Sequence, residues 1–320
     1  MLLKALDLFC GAGGSSRGAQ MAGVDVVAAV DMWDLAENTY RDNFPNARFY
    51  RGRCETLTPT IIKKQIGAID ILIASPECTS HTCAKGASPR SEKSRGTAFE
   101  VVRYAEVLMP RWIVVENVVH MRSWRRFQTW LRAIAELGYH TRTQVLNAAD
   151  LGVPQTRRRL IVTADLEQIP PAVKPGSLPR VPIAQLIDSK NGFRYTPLRQ
   201  KGRAKPTLTR ARRAIRAIGD HEPFLIVYYG SDGAGGWQRV DRPLRTITTV
   251  DRFGYVRPSD NGHELRMLQV PELKRAMGFP DEHIFSHGTR RDKIKLIGNA
   301  VCPPVMKKVL EVLTSPTVKD

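Results

Sequence analysis

Three short stretches carry residue types suited to covalent attack on an electron-poor ring: Ser75-Pro76-Glu77-Cys78, then Glu116-Asn117-Val118, then Gln155-Thr156-Arg157-Arg158-Arg159. Cys78 brings a thiol nucleophile and Glu116 a carboxyl that can lend a proton. Arg157 and Arg159 bring guanidinium groups suited to a carbonyl or phosphate oxygen. Alternate residues of a strand share a face, so Arg157 and Arg159 are expected to point together and Arg158 away. Most cysteines are buried and inert, and many strand-end glutamates simply pair with an arginine. Position favours chemistry here. Cys78 follows the apolar run Ile69 to Ala74 and Glu116 follows Trp112 to Val115, so both stand where buried parallel strands stop, which is where open α/β sheets hold ligands. Cys78, His81 and Cys83 lack a fourth ligand at finger-like spacing, so no metal is expected.

The elements that must position these groups are legible as alternating apolar runs and helical patterns. Leu3 to Leu8, Val26 to Val30, Ile69 to Ala74, Ile113 to Val115, Thr143 to Leu146 and Leu160 to Thr163 are predicted strands. Ala98 to Leu108 and Trp124 to Leu137 place apolar residues at helical spacing. The fold class is therefore α/β, a doubly wound, mostly parallel sheet with helices on both faces. The pattern stops at the proline-rich stretch Gln168 to Gly176. The expected division is residues 1–165 plus 259–320 for the catalytic and cofactor-binding domain, with a small second domain over 166–258.

A strand ending in Asp7, the run Phe9-Cys10-Gly11-Ala12-Gly13-Gly14 and a following helix let backbone approach a nucleotide-like ligand closely. By itself the run serves a dinucleotide enzyme or a tight turn equally well. Asp31 ends the second strand, where a carboxylate accepts hydrogen bonds from ribose hydroxyls. Near the end stands Gly298-Asn299-Ala300-Val301-Cys302-Pro303-Pro304.

Taken together and in this order, these motifs resemble those of the DNA (cytosine-5) methyltransferases, over nearly the whole chain apart from its middle. The resemblance implies S-adenosylmethionine as cofactor. It assigns Phe9, Gly11, Ala12 and Gly14 to the glycine-rich loop on the methionine side, Asp31 to the ribose, Met32 and Cys54 to the adenine faces, and Asn299 nearby. It also implies that Cys78 adds to carbon 6 of a cytosine extruded from its duplex, with Glu116 relieving charge at ring nitrogen 3. In the same scheme, Arg157 and Arg159 clamp the base carbonyl and phosphate, and residues 166–258 form a target-recognition domain. Three positions depart from the family. Asp31 is one methylene shorter than the usual glutamate. Arg53 stands where an aspartate usually accepts the adenine amino group, which an arginine cannot do; Glu55 in its place, adenine held by packing alone, or an anionic donor analogue are the alternatives. Glu77 replaces the proline before the cysteine, and its carboxylate is expected to point away from the thiol, toward a basic loop or the cofactor.

The 320 residues carry a formal charge of +18, which calls for a polyanionic partner. From Lys190 to Arg216 there are ten Lys or Arg and no Asp or Glu, a stripe suited to a duplex backbone. Arg210, Arg212, Arg213, Gln238 and Arg239 are suited to base edges. The five scattered cysteines argue against a disulfide framework, and no run is long enough to span a bilayer. Double-stranded DNA as partner, no membrane, a cytoplasmic location, a monomer and an accompanying restriction endonuclease complete the expectation. Two rivals are a tRNA methyltransferase of the same chemistry, disfavoured by Gln155 and the large basic lobe, and a catalytically silent DNA-binding relative, disfavoured by the retention of Cys78 and Glu116.

Overall fold

The computed structural model describes residues 2–77, 91–176, 179–188, 192–229 and 233–315. Cys78, with His81 and Cys83, lies outside the described residues. The first half runs β1 (Lys4–Leu8), α1 (Gly14–Met21), β2 (Asp25–Asp31), α2 (Asp34–Asn43), β3 (Arg48–Arg51), α3 (Pro59–Ile66), β4 (Ile71–Ala74), α4 (Glu92–Gly96), α5 (Phe99–Leu108), β5 (Trp112–Val118), α6 (Phe127–Glu136), β6 (His140–Asn147) and β7 (Arg158–Asp165). Its seven strands form one sheet in the order β3-β2-β1-β4-β5-β7-β6. β1 to β5 are parallel, and β7 inserts antiparallel between β5 and β6. The order reverses between β1 and β4, and the crevice at such a switch point is the natural ligand seat.

Strand periodicity divides the core in two. Ala5, Ile71, Ile73, Val114 and Ile161 face one cluster, which includes Val305, Met306, Val309 and Leu310. Leu6, Leu8, Leu72, Ala74, Ile113 and Leu160 face another, with Val101, Tyr104, Ala105 and Trp130. Residues one apart in sequence thus serve opposite layers, as alternation requires. β3 escaped the sequence reading. It is a four-residue edge strand with arginine at both ends and only Phe49 buried, so it has too little apolar pattern to register.

The second half runs β8 (Thr196–Pro197), α7 (Lys205–Ile218), β9 (Phe224–Val227), β10 (Trp237–Arg239), β11 (Phe253–Ser259), β12 (Gly262–Met267), α8 (Val270–Ala276), α9 (Arg290–Asn299) and α10 (Pro303–Thr314). Five of its strands form an antiparallel sheet, β10-β9-β11-β12-β8. The span expected for this lobe is residues 166–258. Its end at 258 falls inside the β11–β12 hairpin, where Pro258 pairs with His263. Pro258 lies beyond the stretch of β11 that pairs with β9, so its missing N–H breaks no ladder bond there. At the other end, Val173 exchanges hydrogen bonds with Gln144 of β6 and, with Ile183, is buried in the first core. The chain among these prolines thus still holds to β6, whereas Ile183 and Ala184 bond to Arg242 and Val240 of the second half.

The tail closes the fold. Pro303 opens α10 and Thr289 caps α9 together with Asp292, both ordinary helix starts. Between the two helices the chain passes so close to α1 that a β-carbon on Gly14 would lie 2.2 Å from the carbonyl oxygen of Val301. Only glycine fits there.

Candidate active site

A cavity of about 480 Å³ opens along the carboxyl ends of β1 to β5 and is closed on its far side by α9. Phe9, Cys10, Gly11 and Ser15 come from the loop after β1 and the start of α1. Asp31, Met32 and Trp33 come from the end of β2, and Gly52, Arg53, Cys54 and Glu55 from the loop after β3. Ser75, Pro76 and Glu77 follow β4, and Glu116 projects from β5. Lys295, Leu296, Asn299, Ala300 and Val301 complete the wall.

Asp31 organises the glycine-rich loop. Its two oxygens accept the N–H of Gly11 and of Trp33, each at 2.9 Å. Burial raises its pKa against the pull of these bonds. Gly11 has φ +51° and nothing within 4 Å of the place a β-carbon would take, so backbone lies open to whatever fills the cavity. Beneath the loop, Ser15 and Ser16 both donate to one oxygen of Asp7 at 2.6 Å, and burial raises that acid to about 7.

Of the eight residues expected at the cofactor, Phe9, Gly11, Asp31, Met32, Cys54 and Asn299 line the cavity. Ala12 and Gly14 do not. The carbonyl of Ala12 accepts from His283, and Gly14 is the seat for Val301. Both hold the loop from behind. Sequence reasoning passed over Lys295, whose ammonium stacks 4.4 Å from the Trp33 ring at the rim. The signal was present, because Lys295 stands one helical turn before Asn299 and shares its face.

The two unusual residues meet. Arg53 donates to Glu55 at 2.8 Å and lies 3.6 Å from a Glu77 oxygen. Glu77 therefore points toward Arg53 on the cavity wall, and the charge of Arg53 is answered by two carboxylates.

Glu116 is 7 % exposed, and Arg159 holds one of its oxygens at 2.9 Å. Desolvation pushes its pKa up, while Arg159 and Arg157 pull it down, and the net direction is upward. That favours a carboxyl able to donate. Asn117 donates from its side chain to the Pro76 carbonyl at 2.9 Å and accepts the Val118 N–H at 2.8 Å. It thereby ties the end of β5 to the described residues just before Cys78.

The expected arginine clamp divides. Arg157 is 2 % exposed and donates to the backbone carbonyls of Ile247, Gly298 and Ala300 at 2.9, 2.8 and 3.1 Å. It stitches the second lobe and the tail to the first sheet. The physical reason is placement: Arg157 precedes β7 and turns inward at the seam, whereas Arg159 lies within β7 opposite Val118 of β5. Gln155 is also a seam residue, fully buried between the N–H of Ile247 and the carbonyl of Ala276, so it carries no argument about the nucleic acid. Burial pushes up the thiols of Cys10, Cys54 and Cys302, the last to about 11, which makes them poor nucleophiles. Among the described residues, no His, Cys, Asp and Glu group is arranged to hold a metal, and no helix is long and apolar enough to cross a membrane.

Comparison with known proteins agrees with this arrangement. The family model for C-5 cytosine-specific DNA methylase matches residues 3–315. The Type II methyltransferase M.HindV of Haemophilus influenzae is 27% identical over 313 residues, covering 93% of this chain and 92% of that one. The Type II methyltransferase M1.HphI of Haemophilus parahaemolyticus is 33% identical over 168 residues, 50% of this chain and 45% of that one. In structure, a DNMT2 mutant from Spodoptera frugiperda aligns over 98% of this chain and 100% of its own with a TM-score of 0.74 at 17% identity, so the fold is shared. The S. pombe Dnmt2 methyltransferase aligns over 97% of this chain and 98% of its own with a TM-score of 0.71 at 17% identity. A match spanning both halves of the molecule, with the cavity walls supplied by the same ordered motifs, means that this chain belongs to the C-5 cytosine-specific DNA methylase family.

Proposed function

We propose that this methyltransferase moves a methyl group from S-adenosylmethionine to carbon 5 of a cytosine extruded from double-stranded DNA, through a transient bond to Cys78. One observation carries the reading: a buried carboxyl with a raised pKa, the residues that lead into Cys78 and a nucleotide-sized cavity share one wall. The donor site is supported by Asp31, Met32 and Cys54 on the cavity wall and by the open backbone at Gly11. S-adenosylmethionine, when bound, supplies an electrophilic methyl group. Arg53 is already neutralised by Glu55 and Glu77, which favours this donor over an anionic analogue.

The residues' work follows from the ring's chemistry. Carbon 5 of cytosine is too weak a nucleophile for direct transfer. Addition of the Cys78 thiolate at carbon 6 makes it enamine-like, while Glu116 gives or shares a proton at nitrogen 3 and Arg159 holds that carboxyl in place. After carbon 5 gains the methyl group it loses its proton to a base, and the thiolate leaves to restore the ring. Extrusion costs a few kcal/mol, offset by contacts to flanking phosphates.

A covalent trap tests this. With S-adenosylmethionine and a duplex carrying 5-fluorocytosine, the wild type is expected to form a stable protein–DNA adduct that Cys78→Ala abolishes. Labelled methyl groups are expected in duplex DNA and not in tRNA. An adduct that survives Cys78→Ala, or label confined to tRNA, overturns the reading.

A further inference from the structure

We propose that the outward face of α7 seats the phosphate backbone of the DNA duplex, on which it lies as a sequence-independent rail. The inference rests on the DNA reading above and adds the place and mode of contact. The inner side of α7 buries Thr207, Ala211 and Ala214 and rests Leu208, Ile215 and Ile218 on the core of the antiparallel sheet. Folding therefore uses one side of the helix only. On the other side Lys205, Thr209, Arg212 and Arg216 follow one another at spacings of four, three and four residues, which places them on one stripe. The three cations are exposed and form no ion pair among the described residues.

A helix that merely meets water usually interleaves acids at i, i+4 positions. Here no Asp or Glu occurs from residue 192 through 219. Like charges at Arg212 and Arg216 repel, and Lys205 in the first turn opposes the helix dipole. The stripe thus works against the helix that carries it, which points to an external anion as the compensating partner. Its length, about 16 Å at the rise of an α-helix, spans a duplex carrying on the order of ten phosphate charges. Arg194, Arg199 and Lys201, which precede the helix in the chain, are exposed as well. Cations and a hydroxyl in one stripe suit phosphates, so Arg212, expected from the sequence at base edges, is assigned here to the backbone.

The test is the salt dependence of binding to a fluorescent duplex. Arg212→Gln/Arg216→Gln is expected to reduce the slope of log affinity against log salt by about two and to weaken duplexes of unrelated sequence equally. Lys64→Gln, an exposed charge on α3, is expected to leave the slope unchanged. An unchanged slope in the double variant, a loss confined to one sequence, or a change seen only with a folded RNA overturns the rail. Label incorporation separates the two levels. An unchanged slope with duplex methylation intact overturns the rail alone, whereas label in tRNA and none in DNA overturns the reading on which it rests.

Discussion

At the scale of the residue, two arginines two positions apart have different tasks, and substitution separates them. Arg157→Met strips three buried carbonyls of their donors and is expected to destabilise the protein by about 3 kcal/mol, measured as a shift in denaturation midpoint. Arg159→Met removes the partner of Glu116, which can answer by binding a proton rather than remaining a bare buried charge. Its melting temperature is expected to stay near that of the wild type while kcat falls. Glu116→Gln keeps the shape and loses the proton donor, so kcat is expected to fall about 10²–10⁴-fold in a duplex methylation assay with folding intact by circular dichroism. Equal stability losses in both arginine variants would contradict this division. The sequence displayed all three groups but not their division of labour, because strand alternation gives a side chain's face and not what covers it.

At the scale of the element, the glycine-rich loop is held from two sides. Asp31 binds it from the cavity side through Gly11, and the link between α9 and α10 presses on it from behind through Val301 at Gly14. Gly14→Ala would force a β-carbon into backbone at 2.2 Å, and backbone has no rotamer by which to yield. A loss of roughly 1–3 kcal/mol is expected, with weaker cofactor binding by calorimetry because the loop shifts. A variant with unchanged stability and affinity would show that the tail is not what sets the loop. The strand–loop–helix pattern was visible in the sequence. The partner at the loop's back was not, since it comes from almost three hundred residues downstream.

At the scale of the whole molecule, two buried titratable groups set opposing pH dependences. Asp7 is raised from its ordinary range to about 7 by burial. The folded state then holds a proton the unfolded chain has released, so this contribution is complete below about pH 4 and fades as pH rises through 7. His283 is lowered by burial to about 3. Its contribution is complete above about pH 6.5 and fades as pH falls toward 3. Over the shared window the slopes oppose each other. Asp7→Asn keeps an acceptor for Ser15 and Ser16 and removes one slope. The variant is therefore expected to gain stability with rising pH between 4 and 6.5 more steeply than the wild type, as read by thermal melts. Parallel pH profiles would contradict the assignment.

The sequence by itself determined the α/β class, most strands of the first sheet and the strand ends along which the cavity opens, and six of the eight residues it pointed to for the cofactor line that cavity. These rest on local signals: apolar alternation, glycine where backbone must approach a ligand, and a fixed motif order. Only the tertiary structure decided that Ala12, Gly14, Arg157 and Gln155 hold the scaffold, that Lys295 joins the cavity rim and that Arg53 and Glu77 meet across it. The physical reason is shared by all of these. Each depends on a contact between segments far apart in the chain, and burial or pairing at such a contact sets whether a polar side chain serves the fold or the site.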